Sequence, residues 1–355
     1  MTRNSICIKV PKQHAEQALA MAHKLNLLNK GLQINRDENF VYIPLCHKPT
    51  KTELEKTKEL SSAIELSTRL FLEKKKNISY TELLEKKLPP HLLASLPRAM
   101  DIICDICIVE IPPELDAYRQ EIGTVILKTN RNVRTVLAKA SAVTGMYRLR
   151  KFAVIAGEPK TETVHKEYTC KFHVDVSKAY FSPRLSAEHS RIAHLVKEGE
   201  TVLDMFAGIG PFAVQIAKKH ENVKVYAVDA NPDAVEFLKR NARLNRVEEK
   251  ITVFLGDSRK VIKEKLVGVA DRVIMNLPEK SLEYVDVACQ ALRSAGGVIH
   301  FYSFIKRGNT LRDAEVCLAE TVAYAGRKVE KVLFSRFVRE TAPHQWQAVT
   351  DAKIV

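Results

Sequence analysis

The sequence predicts an α/β protein whose carboxyl-terminal half is a Rossmann-like, doubly wound sheet, preceded by a small α/β domain and an α+β middle domain. Three observations lead there. From residue 201 onward, short apolar runs alternate with segments of helical period, the rhythm of β-α-β units whose sheet is covered on both faces. The first of those runs turns into a helix through two closely spaced glycines, Gly208 and Gly210. A chain of 355 residues also has room for two or three units, each with its own core.

Residues 1–65 read as the small domain. Residues 5–10 alternate like a strand, 13–25 have helical spacing, and 40–44 form an apolar strand candidate. Residues 51–76 are charged and helix-prone, ending in Glu73-Lys74-Lys75-Lys76, and read as a helical connector with a solvated face. Residues 66–180 form the α+β middle domain, with strands expected over 102–111, 135–137, 146–156, 162–168 and 171–176 and a helix over 115–130. The proline pairs 89–90 and 112–113 break helices at their edges. Residues 181–355 carry the doubly wound sheet. Its strands are expected over 201–204, 223–228, 251–255, 271–275 and 297–302, with two more near the end, and helices over 212–219, 232–244, 282–292 and 309–325.

Composition narrows the function. Apolar residues make up 46% of the chain, yet no apolar run approaches the roughly 18 residues of a membrane span. The amino terminus lacks the apolar stretch of a secretory signal, so a cytoplasmic protein is expected. Seven scattered cysteines argue against a disulfide framework; the one C-x-x-C pair, Cys104 and Cys107, lies in an apolar run and reads as buried thiols, with no metal expected. A formal charge of +14 and a pI near 9.4 point to a polyanionic partner, because cationic side chains displace the counterions of phosphates.

The chemistry is concentrated at the expected strand ends. Asp204-Met205-Phe206-Ala207-Gly208-Ile209-Gly210 is not the dinucleotide fingerprint: a carboxylate precedes the glycines, which repels a pyrophosphate and suits a cationic sulfonium or amino acid moiety. That excludes a nicotinamide oxidoreductase and favours S-adenosylmethionine. Asp229, followed by Ala230, can accept from two ribose hydroxyls, and Asp257 with Ser258 can reach an adenine amino group. Each carboxylate alone would serve equally as a helix cap; three at successive strand ends read as a cofactor set. Asn276-Leu277-Pro278 ends the fourth strand, where an amide can position a purine edge or merely make a turn. Glu188 falls in a first helical turn after Ser182, a possible cap, while Arg148 and Arg150 alternate with apolar residues as if on one strand face.

Three pieces, Tyr180-Phe181-Ser182-Pro183-Arg184-Leu185 with Glu188, Asp204 through Phe212, and Asn276-Leu277-Pro278, make the chain resemble, end to end, the archaeal and eukaryotic tRNA (guanine-37 N1) methyltransferases. The resemblance implies a class I methyltransferase fold behind two accessory domains, S-adenosylmethionine as cofactor, tRNA as partner, and a monomer. It further implies Glu188 as general base, Arg150 as electrophilic partner, Asn276 and Pro278 as guanine-positioning residues, Tyr180, Arg148 and Arg184 on the substrate, and Asp204, Phe206, Gly208, Gly210, Asp229, Ala230, Asp257, Ser258 and Asn276 around the cofactor. One departure is visible: relatives often carry an Asn-Gly turn after the Glu of 164–169, where this chain has Tyr168-Thr169, a costly pair for a type I′ hairpin. The rival within the family is an aminocarboxypropyl transferase of the wybutosine pathway, or a methylase of the tricyclic guanine. Outside it stands a non-catalytic RNA-binding protein, which has no use for three cofactor carboxylates and a base.

Overall fold

The computed structural model describes residues 2–58, 64–74, 80–142, 144, 145 and 147–355, and its contacts divide it into two units, Met1–Ser79 and Tyr80–Val355. In the first, β1 (Thr2–Pro11), α1 (Ala15–Lys24), β2 (Asn35–Arg36), β3 (Phe40–Pro44), α2 (Lys51–Lys58) and β4 (Glu65–Leu72) form an antiparallel sheet of order β2-β3-β1-β4. Alternation sorts its faces: Ile8 and Val10 of β1 bury with Ala18 and Ala22 of α1, while Cys7 buries on the other side with Tyr42 and Phe71.

The helical connector over 51–76 is corrected here. Helix ends at Lys58, and β4 pairs with β1 from Thr2↔Leu72 to Lys9↔Glu65, so the sheet continues past the expected boundary at 65. Most of that strand is exposed, with Phe71 as its buried residue, so it carries no alternating pattern for sequence to display. Lys75 and Lys76 lie outside the described residues.

The second unit opens with α3 (Tyr80–Glu85), β5 (Met100–Ile103), β6 (Ile106–Val109), α4 (Arg119–Thr129), β7 (Thr135–Lys139) and β8 (Phe152–Gly157), whose strands form a sheet of order β5-β6-β7-β8 over Leu84, Ile122, Ile126 and Val136. The expected single strand over 102–111 is a hairpin. It turns at Cys104, whose φ of +53° places it in the left-handed region, so Cys104 is exposed and only Cys107 is buried. The expected strand over 146–156 is likewise shortened to Phe152–Gly157. Ahead of it Thr144 bridges Leu149, and Arg148 turns with φ +57°, donating its N–H to Gly145, so Arg148 and Arg150 do not share a strand face; Met146 lies outside the described residues.

A hairpin of β9 (Glu162–Glu167) and β10 (Cys170–Asp175) follows. Tyr168 occupies its two-residue loop with φ +51°, so the turn forms without the Asn-Gly pair. Although expected in the middle domain, this hairpin buries Phe172 and Val174 in the core of the carboxyl-terminal sheet. Its backbone is clamped there by two asparagines: Asn241 accepts from the His173 N–H at 2.6 Å and Asn245 from the Lys171 N–H at 2.9 Å.

The carboxyl-terminal sheet comprises α5 (Ser186–Leu195), β11 (Thr201–Asp204), α6 (Pro211–Lys219), β12 (Lys224–Asp229), α7 (Pro232–Leu244), β13 (Ile251–Leu255), α8 (Ser258–Lys265), β14 (Arg272–Met275), α9 (Val285–Ala291), β15 (Gly297–Lys306), α10 (Leu311–Tyr324), β16 (Val329–Ala342) and β17 (Gln345–Ile354). Its order is β13-β12-β11-β14-β15-β17-β16. Five strands run parallel; β17 then inserts antiparallel between β15 and β16. One face is covered by Ile192, Phe212 and Leu238 from α5, α6 and α7, the other by Ile262, Ala288 and Leu318 from α8, α9 and α10. Strand order reverses between β11 and β14, which opens a crevice at their carboxyl ends, the usual ligand position in such sheets. Among the described residues no helix is long and apolar enough to cross a membrane.

Candidate active site

A cavity of about 480 Å³ occupies that crevice. It gathers ten of the residues singled out from sequence: Phe206, Gly208, Asp229, Ala230, Asp257 and Ser258 toward β11, β12 and β13, and Arg148, Tyr180, Asn276 and Pro278 toward β14.

At the first end the loops are fastened to one another. Asp229 accepts from the Gly208 N–H at 2.6 Å and from the Asn231 N–H at 2.8 Å, and burial raises its pKa. Asp257 lines the cavity, caps α8 through the Lys260 N–H at 3.2 Å and accepts from the Tyr284 hydroxyl at 3.1 Å. Tyr284 stands edge-on to Phe206, ring centroids 5.1 Å apart, and Ser258 ties α8 to the Met205 carbonyl. Gly210 does not line the cavity. It makes the turn into α6 with φ +87°, where a side chain would meet the Leu238 Cγ at 2.8 Å.

Asp204 also lies outside the lining, fully buried at the end of β11 with both carboxylate oxygens lacking a hydrogen-bond partner. Burial pushes it up to about 7, against the pull of the Phe206 backbone N–H and with a smaller push from the charge of Asp229. An orphaned acid behind a second acid leaves the crevice short of positive charge. The sulfonium and amino groups of S-adenosylmethionine supply it, and Asp229 suits its ribose hydroxyls, so the residues present fit that cofactor.

At the other end five side chains hold each other. The Gln347 amide donates to Asn276 Oδ1 at 3.0 Å and accepts from Arg339 Nε at 2.9 Å. Arg339 also donates to the Ser182 hydroxyl at 2.6 Å and to the Tyr180 hydroxyl at 3.0 Å; Ser182 thus serves Arg339 and makes no helix-capping bond. The Arg148 guanidinium lies 5.2 Å from the Tyr180 ring centre and 3.6 Å from Glu279, with its Nε buried and unpartnered. Arg148 lines the cavity, so its guanidinium borders the space a ligand would fill.

Glu188, by contrast, does not line the cavity, although Leu185 and His189 beside it do. Its carboxylate, 1% exposed, is taken up by Arg191 at 2.9 Å, by Arg336 and by the Tyr302 hydroxyl at 2.8 Å. Burial works to raise its pKa, but these donors outweigh burial and hold it below the usual range. Arg191 continues to Asp351 at 2.5 Å, and Asp351 to His300 at 2.6 Å. Arg150 and Arg184 line a second, adjoining groove of about 350 Å³ together with Lys139; Arg184 is paired there with Asp101 at 2.5 Å, while Arg148, Tyr180 and Arg339 border both spaces. Sequence reasoning missed Arg339, Gln347, Arg336 and Tyr302, which come from β15, β16 and β17 with no motif around them.

Comparison with known proteins accords with this geometry. A family model described as the TRM5/TYW2 methyltransferase domain matches residues 163–331, a TYW2 N-terminal domain matches 80–161, and a tRNA methyltransferase 5 N-terminal domain matches 7–53. The tRNA (guanine(37)-N(1))-methyltransferase Trm5b of Pyrococcus abyssi is 37% identical over 99% of each chain. A crystal structure of that organism's Trm5b superposes with a TM-score of 0.75 at 35% identity over 99% of each chain, and the complex of aTrm5 with tRNALeu gives 0.69 at 33% identity over 99% of this chain and 100% of that one. The chain therefore belongs to the family of tRNA (guanine(37)-N(1))-methyltransferases.

Proposed function

We propose that this chain methylates N1 of guanine 37 in tRNA, with S-adenosylmethionine as methyl donor. One observation carries the reading: a single cavity runs from the acidic pair Asp229 and Asp257 to the Tyr180, Arg148 and Asn276 cluster, so a nucleoside cofactor and a flipped purine can meet end to end. When bound, S-adenosylmethionine supplies an electrophilic methyl group whose sulfur keeps the bonding electrons.

The protein's task is the guanine. Its N1 carries an amide-like proton and becomes nucleophilic only as that proton leaves and charge gathers on O6. Glu188 accepts the proton, its depressed pKa keeping it ionised at neutral pH. Arg148, which lines the cavity beside Tyr180, steadies O6; Arg150, given that role by resemblance, lies in the adjoining groove and serves the RNA backbone with Arg184. Asn276 and Pro278 hold the purine edge while Tyr180 offers a ring to stack on. A general base contributes about 10²- to 10⁴-fold and one oxyanion donor about 10²- to 10³-fold. The amino-terminal unit and the β5–β8 sheet serve tRNA recognition, in keeping with the net charge of +14, and the protein works as a cytoplasmic monomer.

The test uses radiolabelled S-adenosylmethionine and two transcripts of one tRNA, with guanine or adenine at position 37, digested to nucleosides and identified by mass. N1-methylguanosine from the guanine transcript alone supports the reading. An aminocarboxypropyl adduct, or methylation of both transcripts elsewhere, overturns it.

A further inference from the structure

Glu188 cannot act on guanine as it stands, because each of its oxygens is occupied. Three groups face it: Arg191 from its own helix α5, Tyr302 from β15 and Arg336 from β16; β17 contributes Asp351, which reaches it only through Arg191, with His300 beyond. They are not equally free to leave. Tyr302 is fully buried, and Arg191 is anchored at both ends by Glu188 and Asp351. The Arg336 side chain is 43% exposed, has Glu188 as its one acidic partner among the described residues, lies 5.9 Å from the Phe334 ring centre, and leaves its Nε without a hydrogen bond. It stands on the sheet's edge strand, whose pairing with β17 slips on both sides of it, and Arg339 three residues later reaches into the cavity. Arg336 is thus the partner with least holding it and the most exposed of the three.

We propose that Arg336 is a positioning residue that keeps the Glu188 carboxylate closed until a phosphate of the bound RNA draws its guanidinium away and leaves Oε1, then held by the Arg191 Nε alone at 3.2 Å, open to the proton on guanine N1. This rests on Glu188 being the proton acceptor. A guanidinium exchanges readily from a carboxylate to a phosphodiester, which offers the same forked geometry and remains ionised throughout. Departure of one cation also raises the proton affinity of Glu188 at the moment it is needed, while Arg191 still holds the carboxylate, more closely at Oε2 than at Oε1. The N1–H bond breaks toward Oε1, the N1 electron pair becomes available to the methyl carbon, and without RNA in place no free base faces the cofactor.

Arg336→Gln tests this through single-turnover methyl transfer across pH, measured both at limiting and at saturating protein. The limiting regime reports the free enzyme, where Arg336 is on Glu188; the saturating regime reports the complex, where it has left. The acidic limb should therefore move up by about 1 pH unit in the first profile and stay in place in the second. The dependence of log affinity for tRNA on log salt should flatten by about 1, the loss of one phosphate contact. Arg336→Lys, which keeps the charge, should restore both readouts. A guanidinium that stays on Glu188 throughout would shift both profiles together, and a purely structural one would shift neither; either result, or an unchanged salt slope, overturns the proposal. Glu188→Gln run alongside separates the two ideas, because wild-type transfer by that variant would remove Glu188 as base whatever Arg336 does.

Discussion

Gln347 on β17 donates to Asn276 Oδ1 at the end of β14 across 3.0 Å, joining residues 71 positions apart. This fixes which half of the Asn276 amide is spent: the oxygen is occupied, and the amino group remains for a purine acceptor. Gln347 is itself pinned by Arg339 at 2.9 Å. Gln347→Leu should leave Asn276 free to rotate and lower the single-turnover rate about tenfold, the worth of one hydrogen bond near 1.4 kcal/mol, with cofactor affinity by calorimetry unchanged. A parallel fall in cofactor affinity would show that Gln347 supports the whole cavity instead of the guanine end.

Asp204 gives a stability prediction whose sign follows from its pKa. Burial pushes the folded carboxyl up to about 7, above the roughly 3.9 of an unfolded chain, so between those values the folded state holds a proton the unfolded state lacks. Stability of the ligand-free protein should fall as pH rises through about 7. Asp204→Asn should remove that slope and melt higher at alkaline pH, yet bind S-adenosylmethionine more weakly because the buried negative charge is gone. Thermal melts across pH with and without cofactor check both halves; a variant less stable at alkaline pH would mean the acid is satisfied in the native state.

The parts legible in sequence were those carried by local pattern. The parallel strands announce themselves as apolar runs because both faces are covered, and Asp204 and Asp229 end their strands while Asp257 follows its own by two residues. What hid was set by tertiary pairing. β4 is an exposed edge strand that reads as charged helix, and the run over 102–111 conceals a two-residue turn because Cys104 reveals nothing of its left-handed backbone. Arg336, Arg339 and Gln347 reach the site only because β17 inserts between β15 and β16, an antiparallel arrangement that no local period encodes. Glu188 was found by resemblance, but that three side chains close around it depends on residues 114 and 148 positions away.

Arg148 and Arg150 are two residues apart and share the outer groove, but only Arg148 also lines the inner cavity, so their variants should separate. Arg148→Ala should lower the transfer rate about 10²- to 10³-fold at saturating tRNA, the cost of one oxyanion donor. Arg150→Ala should leave the saturated rate in place, weaken tRNA binding and flatten its salt dependence by about 1. Single-turnover kinetics over a salt series distinguishes them, and the reverse pattern would return the electrophilic role to Arg150.

Behind the site, Asp351 is held down to about 2: burial works against the charge, but His300 and Arg191 prevail. His300 cannot stand in for it. Arg272 lies 2.9 Å from the Nε2 of His300, and burial lowers that imidazole, so His300 is neutral and donates to Asp351 from Nδ1. Asp351→Asn therefore leaves Arg191 facing Glu188 alone beside a desolvated ring, and should cost about 3–5 kcal/mol at neutral pH, the usual loss when one partner of a buried pair is removed. Because the folded pKa is depressed, the wild-type advantage is present above the ordinary carboxylate range and is lost as pH falls toward about 2. Urea denaturation at neutral and acidic pH should show the two proteins converging on acidification. A gap that stayed constant would place the loss in packing, and would mean that the charge of Asp351 plays no part in holding Arg191 against Glu188.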